Sequence, residues 1–150
     1  MGRIKQHITV KGKKFWTVFD TGARNSYVVP RVAALLSTSK LPKPFQPALG
    51  GKTHKASRAA VLDADVEGRK ISTHAMVIDE IGEDDDGKSI DVLFGALAMQ
   101  QWGIRPIPDE ERLDMSRYPT ELVEFSLVCR TLQRARTPPA AGQRLCPEEA

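Results

Sequence analysis

Hydrophobic residues in this chain gather in short runs broken by glycine and charge, a rhythm that suits strands better than long helices. Residues 4–10 alternate in part. Lys11-Gly12-Lys13 then makes a tight turn into the apolar run Phe15-Trp16-Thr17-Val18-Phe19, which predicts a β-hairpin with Asp20 at its far end. Tyr27-Val28-Val29 predicts a short strand. Pro30 then opens a helical turn over 32–36, because proline is well tolerated at a first helical position. Pro42, Pro44 and Pro47 make residues 37–47 a loop or an edge segment.

Residues 45–49 and 53–59 flank Gly50-Gly51, which predicts a second hairpin with a mobile glycine tip. Residues 60–66 and 71–78 flank Glu67-Gly68-Arg69, a third hairpin. Residues 82–88, with Glu83-Asp84-Asp85-Asp86, read as a solvated loop. Val92-Leu93-Phe94 reads as a buried strand, 96–102 as a short amphipathic helix, and 122–128 as a last strand. Short, regularly spaced strands with glycine turns predict a mostly-β fold, a closed barrel with one or two short helices.

Composition narrows the class. At 150 residues, with 41% hydrophobic and 27% charged, the chain is the size of one globular domain. No apolar run is long enough to span a bilayer, so no membrane partner is expected. The first residues, Met1-Gly2-Arg3-Ile4-Lys5-Gln6, lack the apolar segment of a secretory signal, and Gln6 breaks the myristoylation pattern. A cytoplasmic location is the expectation. Cys129 and Cys146 make no disulfide framework and are expected to be reduced and inert.

The net charge of +3 raises the question of nucleic acid. Residues 130–150 carry Arg130, Arg134, Arg136 and Arg144 against Glu148 and Glu149, a net of +2. The remainder is nearly neutral, so no phosphate-tracking surface is expected on the folded part. The domain is placed at 1–129, with 130–150 a disordered basic, Pro-rich tail.

Candidate chemistry concentrates at Asp20-Thr21-Gly22-Ala23, where a strand delivers a carboxylate into a glycine turn. A second phrase follows later: Asp91-Val92-Leu93-Phe94-Gly95-Ala96, leading into Leu97-Ala98-Met99-Gln100-Gln101-Trp102. The two phrases, in this order and with Gly50-Gly51 between them, resemble the retropepsin-like aspartic peptidases over most of residues 4–107.

That resemblance implies an acid-protease barrel and an aspartic endopeptidase in which Asp20 activates water. One Asp-Thr-Gly per chain and no internal repeat imply a homodimer, with the second carboxylate supplied by Asp20 of another copy. Two carboxylates a few ångströms apart share a proton, and the pair needs no metal or cofactor. By the same resemblance Thr21 bonds across to the partner loop, and Gly22 gives the turn a backbone shape closed to bulkier residues. Phe94 and Gly95 support the catalytic loop from behind. Ala23, Arg24 and Asn25 line the path of a polypeptide substrate, as do Leu49, Gly50 and Gly51 in the position of a closing flap. Retroviral members often follow the alanine with Asp; Arg24 and Asn25 stand here instead, so subsite preference does not carry over. The alternative is a catalytically inactive peptide-binding or dimerisation module on the same barrel.

Other motifs dissolve on inspection. Gly51-Lys52-Thr53 mimics the end of a phosphate-binding loop, but Gln46 stands where that motif needs glycine, and Pro47 intervenes. His7, His54 and His74 lack metal-ligand spacing and are expected on strands or at the surface. Asp84-Asp85-Asp86-Gly87 lacks the alternating ligands of a calcium loop. Asp63, Asp65 and Asp79 are expected to point outward from strands, and Ser26 and Ser57 sit in no nucleophile turn.

Overall fold

The computed structural model describes residues 3–120. The last strand expected at 122–128, both cysteines and the tail at 130–150 lie outside the described residues. By internal contacts the chain divides into Met1–Tyr118 and Pro119–Ala150, and the fold below is that of the first unit.

Strands β1 (Arg3–Val10) and β2 (Lys13–Asp20) form the expected hairpin, paired from Arg3–Asp20 to Val10–Lys13. β3 (Ser26–Val28) leads into the helical turn α1 (Pro30–Ala33), shorter than the 32–36 run suggested, although Leu36 N–H still bonds Ala33 O. β4 (Ser37–Phe45) takes the edge alternative left open for the proline-rich stretch. It pairs only with the long strand β7 (Ala56–Val66), and the register breaks between Lys40 and Phe45, where Pro42 and Pro44 stand. Proline lacks the N–H a central strand would need, so an edge is where this sequence can lie.

The second hairpin is smaller than expected. β5 (Ala48–Leu49) and β6 (Lys52–Thr53) form a two-stranded ribbon of their own around Gly50-Gly51. β7 and β8 (Arg69–Val77) make the third hairpin about Glu67-Gly68. β9 (Val92–Phe94) and α2 (Ala96–Trp102) fall where the apolar pattern places them. A further small ribbon, β10 (Arg105–Ile107) and β11 (Arg112–Asp114), follows α2 and had no counterpart in the sequence pattern. Pro106, Pro108 and the run Asp109-Glu110-Glu111-Arg112 give no alternation from which to read a strand.

The main sheet runs β1-β2-β9-β3-β8-β7 and closes on itself where Thr9 of β1 meets Asp65 of β7, a six-stranded mixed barrel with β4 outside. Closure removes the open edges that an alternating sheet would expose. Inside are Ile4, Ile8, Phe15, Phe19, Leu62, Val66, Val92 and Phe94, all buried. Phe19 and Phe94 lie with ring centroids 5.0 Å apart, and each fully buried side chain contributes about 2–3 kcal/mol by area.

One topological detail positions the site. β2 and β3 are consecutive in sequence yet do not pair. β9 threads between them, parallel to β2 (Phe19 beside Phe94) and antiparallel to β3 (Tyr27 beside Leu93). Central placement explains why β2 ends in an unbroken buried run rather than an alternation. It also brings Asp20 and Gly95 out at the same end of the barrel, with residues 21–25 crossing over the end of β9.

Candidate active site

Asp20 is 6% exposed, and its carboxylate is fixed on both sides. Oδ1 accepts the Gly22 N–H at 2.8 Å, and the Ala23 N–H bonds the Asp20 carbonyl at 3.2 Å, closing the turn. Oδ2 accepts the Arg3 Nε–H at 3.0 Å. Gly22 is not among the glycines with positive φ, so a left-handed backbone is not its contribution here. It supplies instead a close N–H and an open place on the cleft wall.

The loop is held from below. Ala96 and Leu97 N–H groups, the first of α2, donate to the carbonyls of Ala23 (2.7 Å) and Arg24 (3.2 Å). Those amides lack partners within the helix, so loop and helix end satisfy each other. Buried Ser26 accepts the Gly95 N–H on Oγ at 3.0 Å. A Cβ at Gly95 would fall 2.3 Å from the Asn25 carbonyl oxygen and 2.8 Å from that of Arg24. Phe94 is fully buried behind the loop, against Phe19. Thr21 is exposed at the head of the turn.

Above Asp20 opens a cleft of about 410 Å³. Ala23, Arg24, Asn25, Leu49 and Gly50 line it, together with Gly22 and Ala48; Gly51 does not. Gly50 and Gly51 have φ of 58° and 78°, both central positions of the hairpin turn lying in the left-handed region that glycine tolerates best. The other lining residues carried no local signal: Arg3 and Val18 from the first hairpin, Tyr27 and Leu93 from the barrel, and Ile81, Glu83 and Ile90 from the segment that follows β8. A second cavity of about 440 Å³ between β8 and α2 includes His74 and Arg24 but no carboxylate. A third, of about 340 Å³, is lined by Asp79, Glu80, Glu83 and Asp91 but not by Asp20, so the candidate acid of the sequence motif opens to the first.

The wall formed by residues 78–91 is tied down rather than merely solvated. Trp16 Nε1 donates to Asp84 at 2.8 Å, and Lys88 Nζ lies 3.9 Å from the Trp16 ring centre. The Lys88 N–H above all, then the Trp16 indole, hold the Asp84 carboxyl below its ordinary range. Asp91, 4% exposed, accepts the Trp16 backbone N–H at 3.0 Å and binds Arg31 through its other oxygen.

His54 corrects the expectation of a strand or surface histidine. It is buried at the root of the glycine hairpin, its N–H bonded to Pro47 O and its Nδ1 3.1 Å from Asp79 Oδ1. Asp79 lies beyond the end of β8, and the His54 bond above all holds its carboxyl below the usual range. Lys52 pairs with Glu80 on the same side, and that bond raises the Lys52 pKa. Two contacts thus join the hairpin to the opposite cleft wall. Lys52 and Thr53 lie in β6 with no helix after them, so no phosphate cradle forms.

Among the described residues no group of His, Cys, Asp and Glu is placed to hold a metal ion, and no helix is long and apolar enough to cross a membrane.

No family model matches the sequence, and no curated protein matches it. Solved structures do. The retroviral protease-like domain of Ddi1 from Leishmania major superposes with a TM-score of 0.53 at 16% identity, covering 78% of this chain and 90% of that one. The protease of EIAV, complexed with the inhibitor HBY-793, gives 0.47 at 17% identity, covering 70% and 92%. The foamy viral protease-reverse transcriptase with RNA/DNA hybrid gives 0.47 at 16%, covering 92% of this chain and 16% of that chain. Only the first bears on the fold, and at that identity it bears on the fold alone. Joined to the closed barrel and the strand threaded between β2 and β3, it gives the conclusion for this chain: its fold is retropepsin-like.

Proposed function

We propose that this chain is one subunit of a homodimeric aspartic endopeptidase, with Asp20 of each copy forming a single catalytic pair. The observation that carries the reading is the placement of Asp20: nearly buried, oriented by the Gly22 N–H, and open to a cleft whose far side is a glycine-tipped hairpin. One carboxylate has little power over an amide. Two held a few ångströms apart cannot both ionise easily, so the pair carries one proton. The ionised member takes a proton from a water between them. The protonated member donates a hydrogen bond to the scissile carbonyl as it becomes tetrahedral, and a proton then passes to the leaving amine.

In this reading Thr21 and Gly22 shape the paired turns, while Phe94 and Gly95 fix their height above the barrel. Ala23, Arg24 and Asn25 meet the substrate main chain from below. Leu49, Gly50 and Gly51 close from above and exclude water. The substrate is an extended polypeptide, no cofactor takes part, and the setting is cytoplasmic.

The test is hydrolysis of denatured casein with and without pepstatin, using Asp20→Asn as control. Asparagine fills the same space but cannot act as base, so cleavage should vanish while the fold persists. Undiminished cleavage by that variant refutes the reading. A second reading, a peptide-binding module without activity, draws on the Arg3 guanidinium beside Asp20. It predicts peptide binding that pepstatin blocks, with no cleavage in either form.

A further inference from the structure

Arg3 and Asp20 are direct cross-strand partners in the β1–β2 ladder, so their side chains leave the sheet on the same face. Register alone therefore puts a guanidinium beside the acid. The division of labour on the carboxylate is specific. Oδ1 is held by the backbone of its own turn at Gly22, and Oδ2, the oxygen left for chemistry, receives Arg3 Nε–H at 3.0 Å. The remaining charged residues lining the cleft are Arg24 from the loop and Glu83 from the opposite wall; the hairpin tip contributes only Ala48, Leu49 and Gly50.

From this geometry, and resting on the reading of Asp20 as half of a paired site, we propose that Arg3 is a guard on Asp20. In the single chain it occupies the oxygen that a second carboxylate and the attacking water must approach. Pairing of two copies draws it away. A carboxylate offers about four acceptor directions, so the guard competes for Oδ2 rather than sealing it. The contact is well suited to release. Arg3 is 63% exposed while the Asp20 side chain is 9% exposed, so the cation can swing into water without disturbing the barrel. An isolated subunit would thereby carry a satisfied, unreactive acid, and the reactive form would exist only in the assembled enzyme.

The experiment compares the wild type with Arg3→Met, which keeps the stem and loses the donors, and with Arg3→Lys, which keeps a cation. Sedimentation equilibrium gives the dimer dissociation constant, and nitrogen-15 NMR follows the Arg3 Nε–H. Because the Arg3 side chain is 63% exposed and screened by solvent, the contact is worth on the order of a fivefold factor per chain, so Arg3→Met should tighten dimerisation by up to about twentyfold. Arg3→Lys should stay near the wild type. The Arg3 Nε–H signal should exchange slowly with water in dilute protein and faster in the dimer. Unchanged or weaker dimerisation of Arg3→Met overturns the guard, the weaker result marking Arg3 as a counter-charge that holds the pair together. A chain that stays single in all three forms overturns the paired site itself, a separate failure.

Discussion

A Cβ on Gly95 would stand 2.3 Å from the carbonyl oxygen of Asn25, closer than any real side chain approaches a backbone. Gly95 has φ of −90°, a shape any residue adopts, so space alone demands glycine there. The end of β9 and the loop that follows Asp20 are in effect one packed unit. Gly95→Ala must push the two apart, at a cost of about 1–3 kcal/mol for an overpacked contact. Urea unfolding should report that loss, and any peptidase activity should fall further, since the loop orients Asp20. A variant as stable and as active as the wild type would show the contact to be slack.

Ser26 carries the second tie. Its Oγ accepts the Gly95 N–H within the protein interior. Ser26→Ala leaves that N–H without an acceptor, which costs about 1–3 kcal/mol. Ser26→Thr, which keeps the hydroxyl, should recover part of the loss unless its methyl clashes. Equal stability of Ser26→Ala and wild type in urea would mean that another acceptor, such as water, reaches the site.

Asp91, just before β9, ties β2 to α1, binding the backbone of β2 at Trp16 and the side chain of Arg31 in α1. Asp91→Ala should destabilise the domain by about 1–3 kcal/mol, mostly through the unsatisfied Trp16 N–H, because Arg31 is largely exposed and finds water. Asp91→Asn retains an acceptor and should lose less. Thermal melts of the two variants compare them directly; the reverse order would contradict this account.

The hairpin root should depend on acid. His54 holds the Asp79 carboxyl below its ordinary value of 3.8 in the folded state. A depressed carboxyl adds stability that is present in full above the unfolded value and is lost as pH falls through the folded one. The gap in melting temperature between wild type and Asp79→Asn should therefore narrow as pH falls through and below 3.8. A gap that widens on acidification would reverse the sign and refute the assignment.

Much of this was legible in the sequence because it is local. The turn at Lys11-Gly12, the helix at 96–102 and the delivery of Asp20 by an apolar strand follow from side-chain order alone. What stayed hidden depends on register and closure. Nothing near Arg3 announces that it will face Asp20, since that follows from the full pairing of the first hairpin. His54 is flanked by Thr53 and Lys55 and looks exposed, yet folding of the hairpin root buries it against Asp79. Asp84 and Trp16 lie 68 positions apart, so the acidic loop reads as solvated although its second carboxylate, Asp84, is anchored. The fold was readable from pattern; the electrostatic ties around the cleft were not.

The central claim is that one working site needs Asp20 from two chains. Mixing wild type with Asp20→Asn at fixed total concentration, with exchange of subunits allowed, tests it most directly. If each site needs both carboxylates, casein hydrolysis should fall as the square of the wild-type fraction, to about a quarter in an equal mixture. A strictly linear fall, to half, would mean that each chain works alone and would contradict the paired site.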